Sequence, residues 1–194
     1  MRELRETILR QGQCVGDSIV KVDMFLNHRL DTRLMFAMGR ELADYFGKDK
    51  PDIVLTVEAS GIALALAAAH FLDDIPVVFA KKSPAANQSA DMLTAVAHSF
   101  THGNDNALRV DRRYLPAGSR VLVVDDFLAD GEASRALISI VEQAGCTLVG
   151  VGIAVEKGFQ HGGDRLREAG IPLHSLAIIE SAEPGNIVFR EEEA

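Results

Sequence analysis

Apolar and polar residues along this chain follow two periods, and each change of period marks an element. Leu4, Ile8 and Leu9 recur at helical spacing, which predicts a short amphipathic helix over Arg2 to Gln11. Residues 12 to 30 hold no clean period, and Asn27 and His28 interrupt an otherwise apolar run there. An asparagine in such a run either fixes a turn or reads a ligand edge, and its position alone favours the turn. Asp31 or Thr32 can cap a helix reaching Phe46, with Leu34, Met35, Met38, Leu42 and Phe46 inward and Gly47 ending it. Ile53 to Val57 then reads as a strand buried on both faces. The small-residue loop Glu58-Ala59-Ser60-Gly61 follows, and after it an apolar helix from Ile62 to Leu72.

The same strand–loop–helix unit returns further on. Pro76 to Ala80 is a strand ending at Lys81-Lys82. Ser83 to Asp91 is small and polar, the composition of a mobile loop. Leu93 to Phe100 and Ala107 to Leu115 flank His102 to Asn106 and read as a hairpin. Val121 to Val124 runs straight into Asp125-Asp126, then a short loop, Gly131 and a helix marked by Ala133, Ala136, Leu137, Ile140, Val141 and Ala144. Thr147 to Val155 is a further strand, Asp164 to Ala169 a short helix and Leu173 to Ile179 a last strand. Beyond Glu180 the acidic tail is expected to be solvated and frayed. Alternation of this kind predicts an α/β fold, a parallel sheet flanked by helices with right-handed crossovers.

Composition narrows the picture. The 194 residues are 47% hydrophobic and 25% charged, enough for one domain with a full core. A net charge of −8 argues against nucleic acid as a general partner, so an anionic substrate needs lysines or a metal ion close by. Cys14 and Cys146 belong to no ligand-spaced pair, which suits a reducing cytoplasm. The charged start is unlike a signal peptide, and the longest apolar stretch is too short for a bilayer, so no membrane partner is expected. GxGxxG, GxxxxGK[ST], HExxH and GxSxG are all absent, and the six histidines lack metal-like spacing.

Four strand ends, after Val57, Ala80, Val124 and Val155, hold nearly all the candidate polar groups. In open α/β sheets ligands bind outside the carboxyl ends of strands, against the start of the next helix. Each candidate also has a plainer role. Asp125 and Asp126 can merely close a strand, and Ser60 can merely cap a helix, which its residues alone favour. Lys81-Lys82 can be a solvated pair, and Lys157 can pair with Glu156 or Asp164.

The stretch VLVVDDFLADGEA, with VEASGIA, VVFAKK, LTAVAHSFT, VEKGFQ and KVDMFLNHRLD, resembles the purine phosphoribosyltransferases, in particular their bacterial xanthine-using branch. The resemblance implies a type I phosphoribosyltransferase-like fold over the whole chain, with a small amino-terminal hood (1–32) and a flexible hairpin (83–115). It implies transfer of phosphoribose from 5-phosphoribosyl 1-pyrophosphate to xanthine, with Mg²⁺ carried on the substrate, in a cytoplasmic homodimer. Asp125 and Asp126 would be the catalytic pair holding the ribose hydroxyls, and the Mg²⁺ could also reach them. Ala129, Asp130, Gly131, Glu132 and Ala133 would cradle the 5′-phosphate, and Ser60, Gly61, Lys81 and Lys82 the pyrophosphate. Val20, Asn27, Phe127 and Lys157 would face the purine.

Asp130 and Glu132 depart from that pattern, which has amides at both places. An ionised carboxylate only accepts hydrogen bonds. At an effective dielectric of about 20, like charges about 4 Å apart repel by roughly 4 kcal/mol. Two other readings therefore stay open: a guanine- or hypoxanthine-preferring transferase, and a non-catalytic nucleotide sensor. A DNA-binding regulator is disfavoured, because nothing before Ile53 has the length or the basic charge for a winged helix.

Overall fold

The computed structural model describes residues 1–16, 19–83, 91–98 and 105–191. Helix α1 (Arg2–Gln11) turns Leu4 and Ile8 into the core. Leu9, expected beside them, is 60% exposed, because it lies one position round the helix from the buried stripe. The aperiodic stretch after it forms a small antiparallel hairpin, β1 (Gln13–Val15) and β2 (Ile19–Lys21), and then a π-helical turn, Asp23–Asn27. Helix α2 (Thr32–Phe46) begins where expected, with the Asp31 carboxylate accepting from the Leu34 N–H at 3.1 Å. All five side chains expected to face inward are buried.

The main sheet has six strands in the order β4–β3–β7–β8–β9–β10. Strands β3 (Ile53–Val57), β4 (Val77–Ala80), β7 (Arg120–Leu128), β8 (Thr147–Lys157) and β9 (Leu173–Glu183) run parallel, and β10 (Asn186–Phe189) returns antiparallel along β9. Helix α3 (Gly61–Phe71) follows β3, α4 (Glu132–Gln143) follows β7, and the short α5 (Gly162–Glu168) follows β8. Among the parallel strands the spatial order reverses between β3 and β7, so a crevice opens there at the carboxyl ends. A separate hairpin, β5 (Met92–His98) and β6 (Asp105–Asp111), packs Leu93, Leu108 and Val110 into the core on the α4 side.

Several boundaries differ from expectation. Strand β7 runs past Val124 to Leu128, because its ladder with β8 continues to the Leu128–Glu156 pair after β3 has parted from it at Val123. Strand β8 likewise reaches Lys157. The carboxyl-terminal stretch is not frayed up to Arg190: β9 and β10 pair, and the Arg190 guanidinium holds Glu180 at 2.7 Å and Asp164 at 3.2 Å. Strand β6 stops at Asp111 and a 3₁₀ turn, Arg112–Tyr114, follows. Most of the expected loop between Ser83 and Asp91, the turn of the hairpin and the last three acidic-tail residues lie outside the described residues. Among the described residues no helix is long and apolar enough to cross a membrane.

Near the end of β8 the Glu156 side chain is fully buried. Both its oxygens meet the Arg167 guanidinium, at 2.8 and 2.7 Å, and the Ser175 hydroxyl donates to Oε2. This fork–fork pair ties α5 to β8 and β9 and fixes the course of the intervening loop. Arg167→Ala is expected to cost about 3–5 kcal/mol, since it strands a buried carboxylate. Adding Glu156→Gln should restore part of the loss; urea midpoints that barely move in the single variant would refute the assignment.

Candidate active site

At the crevice between β3 and β7 two carboxylates are held side by side. Asp125 and Asp126 are only 5% and 6% exposed. The Asp126 N–H donates to Asp125 Oδ1 at 2.9 Å. Ser60 does not cap α3: its hydroxyl donates to Asp126 Oδ1 at 2.9 Å, reaching across from the loop after β3. Asn27 is exposed at the end of the π-helical turn, and its amide donates to Asp126 Oδ2 at a long 3.4 Å. Asn27 thus sits in the turn that its position favours. A Cβ on Gly61 would stand 2.3 Å from Thr56 Oγ1 and 2.6 Å from Asp125 Oδ1, so glycine alone lets α3 start this close to the acids. The buried Thr56 hydroxyl has no hydrogen-bond partner among the described residues.

Burial, then the neighbouring Asp126 charge, pushes the Asp125 carboxyl well above the usual carboxylate range, and the Lys82 ammonium pulls it partly back. A cavity of about 290 Å³ opens over this pair, with Glu58, Ser60, Lys82, Phe127, Asp130 and Glu132 in its wall. Lys82 therefore faces the cleft, whereas the exposed Lys81 is not part of the lining and bridges through its backbone to Arg109 at 2.9 and 3.0 Å. Glu58 Oε1 accepts from the Lys82 N–H at 2.6 Å, which fixes the end of β4 against the loop after β3. Ala97 and Leu108, from the β5–β6 hairpin, complete one side.

The loop from Ala129 to Ala133 lies between Asp126 and α4. Gly131 has φ +88°, a left-handed conformation that turns the chain into the helix at little cost only for glycine. Asp130 Oδ1 accepts from the Glu132 N–H at 3.1 Å. The Glu132 carboxylate pairs with Arg135. On the other side Lys157 lies with its ammonium 5.6 Å from the centre of the Phe127 ring, in cation–π range. Burial lowers the Lys157 pKa and the Asp130 charge partly offsets that. Of the two acids considered as partners for Lys157, Glu156 is held by Arg167, and Asp164 is joined to Arg190 and Arg167. Val20 is buried in the same core cluster on which Phe127 packs.

Sequence reading passed over Glu58, Thr56 and Arg165. The Arg165 guanidinium donates from one nitrogen to the carbonyls of Asp130 (3.0 Å) and Gln160 (3.2 Å), joining two loops distant in sequence. Its local pattern is that of any solvated helix arginine, so no signal marked it.

Asp125→Asn tests the electrostatics. Because the folded carboxyl has a pKa above its unfolded value, it supports the fold most below about pH 4 and opposes it as pH rises through the folded value. The asparagine variant should thus melt higher than the wild type at pH 8, by the equivalent of about 0.5–2 kcal/mol. The gain should vanish near pH 4; a variant less stable than wild type at both pH values would contradict the burial argument.

Comparison with known proteins agrees with this geometry. The phosphoribosyl transferase domain model matches residues 26–168. Xanthine phosphoribosyltransferase from Heliobacterium modesticaldum is 50% identical over 97% of this chain and 100% of its own. Its namesake from Bifidobacterium animalis subsp. lactis is 49% identical over 98% and 100%. Among solved structures, adenine phosphoribosyltransferase from Rhodothermus marinus shares the fold with a TM-score of 0.73 at 24% identity, covering 92% of this chain and 100% of that one. On the domain match and the near full-length identity to its relatives, this chain belongs to the phosphoribosyltransferase family, with the family's type I fold.

Proposed function

We propose that this protein transfers the phosphoribosyl group of 5-phosphoribosyl 1-pyrophosphate to xanthine, forming xanthosine 5′-monophosphate and pyrophosphate for purine salvage. The observation that supports this most is the convergence of Asp125-Asp126, the loop 129–133 and Lys82 on one cleft, in a chain that matches xanthine phosphoribosyltransferases along nearly its whole length.

In this reaction the bond from ribose C1′ to pyrophosphate breaks as a purine nitrogen bonds to the same carbon. Positive charge grows on the ring and negative charge on the leaving group. The two acids hold the ribose hydroxyls, close to the developing ring charge. The backbone N–H groups at the start of α4 take the 5′-phosphate, aided by the helix dipole. Ser60, Gly61 and Lys82 lie by the pyrophosphate, with Lys81 as a second, outlying charge. Phe127 offers a ring to the base, Lys157 donates to a carbonyl edge, and Val20 and Asn27 close the side towards the amino terminus. A hairpin that shuts over the cleft keeps water from the activated ribose.

Among the described residues no three His, Cys, Asp or Glu side chains gather into a metal cage. Two carboxylates beside a polyphosphate fit a cation that arrives on the substrate and keeps most of its water, with Asp125 and Asp126 within reach. Mg²⁺ so bound would neutralise charge on the leaving pyrophosphate. The working form is a homodimer in the cytoplasm. Exposed Phe36 and Leu66, around a groove that also includes His70 and Ile75, suit a face shared with a second copy. The thiols of Cys14 and Cys146 are free, and burial pushes both up, as suits a reducing compartment.

Incubation with the donor, Mg²⁺ and xanthine should yield xanthosine monophosphate, with guanine and hypoxanthine turning over more slowly. Asp126→Asn should lower kcat by about 10²-fold or more, as loss of one group aimed at transition-state charge does. Lys157→Met should raise the KM for xanthine and leave that for the donor nearly unchanged. No product with any of the three bases, from a folded protein, defeats the proposal.

A further inference from the structure

The loop that leads into α4 contains an anion of its own. Helix starts leave N–H groups without partners, and these are what a phosphate oxygen takes up. Here one of them is already occupied, since Asp130 Oδ1 accepts from the Glu132 N–H at 3.1 Å. The other acid of the loop is disposed differently: Glu132 turns to Arg135 within its own helix. Two bonds tie the loop's backbone: Arg165 holds the Asp130 carbonyl at 3.0 Å, and the Gly162 N–H holds the Ala129 carbonyl at 3.1 Å. The Asp130 side chain can rotate about its own bonds without breaking either.

We propose that the Asp130 carboxylate is a built-in competitor for the phosphate seat: it fills the amide at the start of α4 in the empty protein, must rotate out when a phosphate enters, and so sets the affinity for phosphorylated ligands. The identity of those ligands rests on the transferase reading; the competition rests on the geometry alone. One N–H cannot serve a carboxylate and a phosphate oxygen at full strength, and the displaced carboxylate remains near the dianion with the same sign of charge. Partial exposure of the loop screens that repulsion well below its dry-interior size. Lys157 is not left unsupported by the exchange, because the incoming phosphate supplies charge of the sign that Asp130 supplied before.

The test is calorimetric binding of ribose 5-phosphate to wild type, Asp130→Asn and Asp130→Ala at low and high salt. Alanine removes both the charge and the oxygen that occupies the Glu132 N–H, so its Kd should fall furthest, about tenfold, some 1.4 kcal/mol. Asparagine removes the charge but keeps a competing oxygen, so its Kd should fall between those of wild type and alanine. Raising the salt should shrink the asparagine gain, because the repulsion is screened, and leave the further gain of alanine. An alanine variant that binds no tighter than wild type, or no tighter than asparagine, overturns the proposal, as does failure of every variant to bind. Product assays on the same preparations separate the two claims. Tighter binding without any wild-type product leaves the competitor standing and removes the transferase, while product with an unchanged Kd does the reverse.

Discussion

Strand β7 loses one neighbour before it loses the other, and the site depends on that asymmetry. Its ladder with β3 ends at the Leu55–Val123 pair, while its ladder with β8 continues to Leu128–Glu156. Backbone groups of Asp125 to Leu128 thus remain tied into the sheet on one side while the other side is open to the cleft. A sheet edge created inside the fold gives rigid backbone under functional side chains, which a loop of the same sequence would not. Reversal of strand order at this point is what parts the two strands.

Burying two adjacent carboxylates there is costly, and the fold meets the cost with specific partners. Ser60, Asn27 and the Asp126 N–H share out the carboxylate oxygens, and Lys82 supplies an opposite charge bearing on Asp125. Each comes from a different part of the chain. The pair is consequently held in place at a cost in stability, a common relation between stability and function. Behind it, Glu156 with Arg167 and Ser175 anchors the loop that follows Lys157.

Two loops that are far apart in sequence are nonetheless fastened together. The Ala129 carbonyl takes the Gly162 N–H, and Arg165 joins the Asp130 and Gln160 carbonyls. The start of α4 and the stretch after Lys157 therefore share hydrogen bonds. Asp130 belongs to both, through its contact with the Glu132 amide and its charge near Lys157.

Much of this was legible in the residues. Periodicity alone located α2 with its inward face and Asp31 cap, the buried strand Ile53–Val57, and the helix after Gly131, because local propensity and burial agree there. The quoted motifs likewise gave the family and the acids of the cleft. Tertiary structure decided the rest. That β7 continues through its acids depends on a partner strand some thirty residues away, and that Ser60 serves Asp126 instead of its own helix depends on an acceptor 66 positions distant. Leu9 facing out, Glu156 choosing Arg167, and Arg165 reaching Asp130 are of the same kind. Local sequence specifies backbone preference and amphipathic faces; which polar groups meet is set by distances across the sheet, and those exist only once the chain has closed.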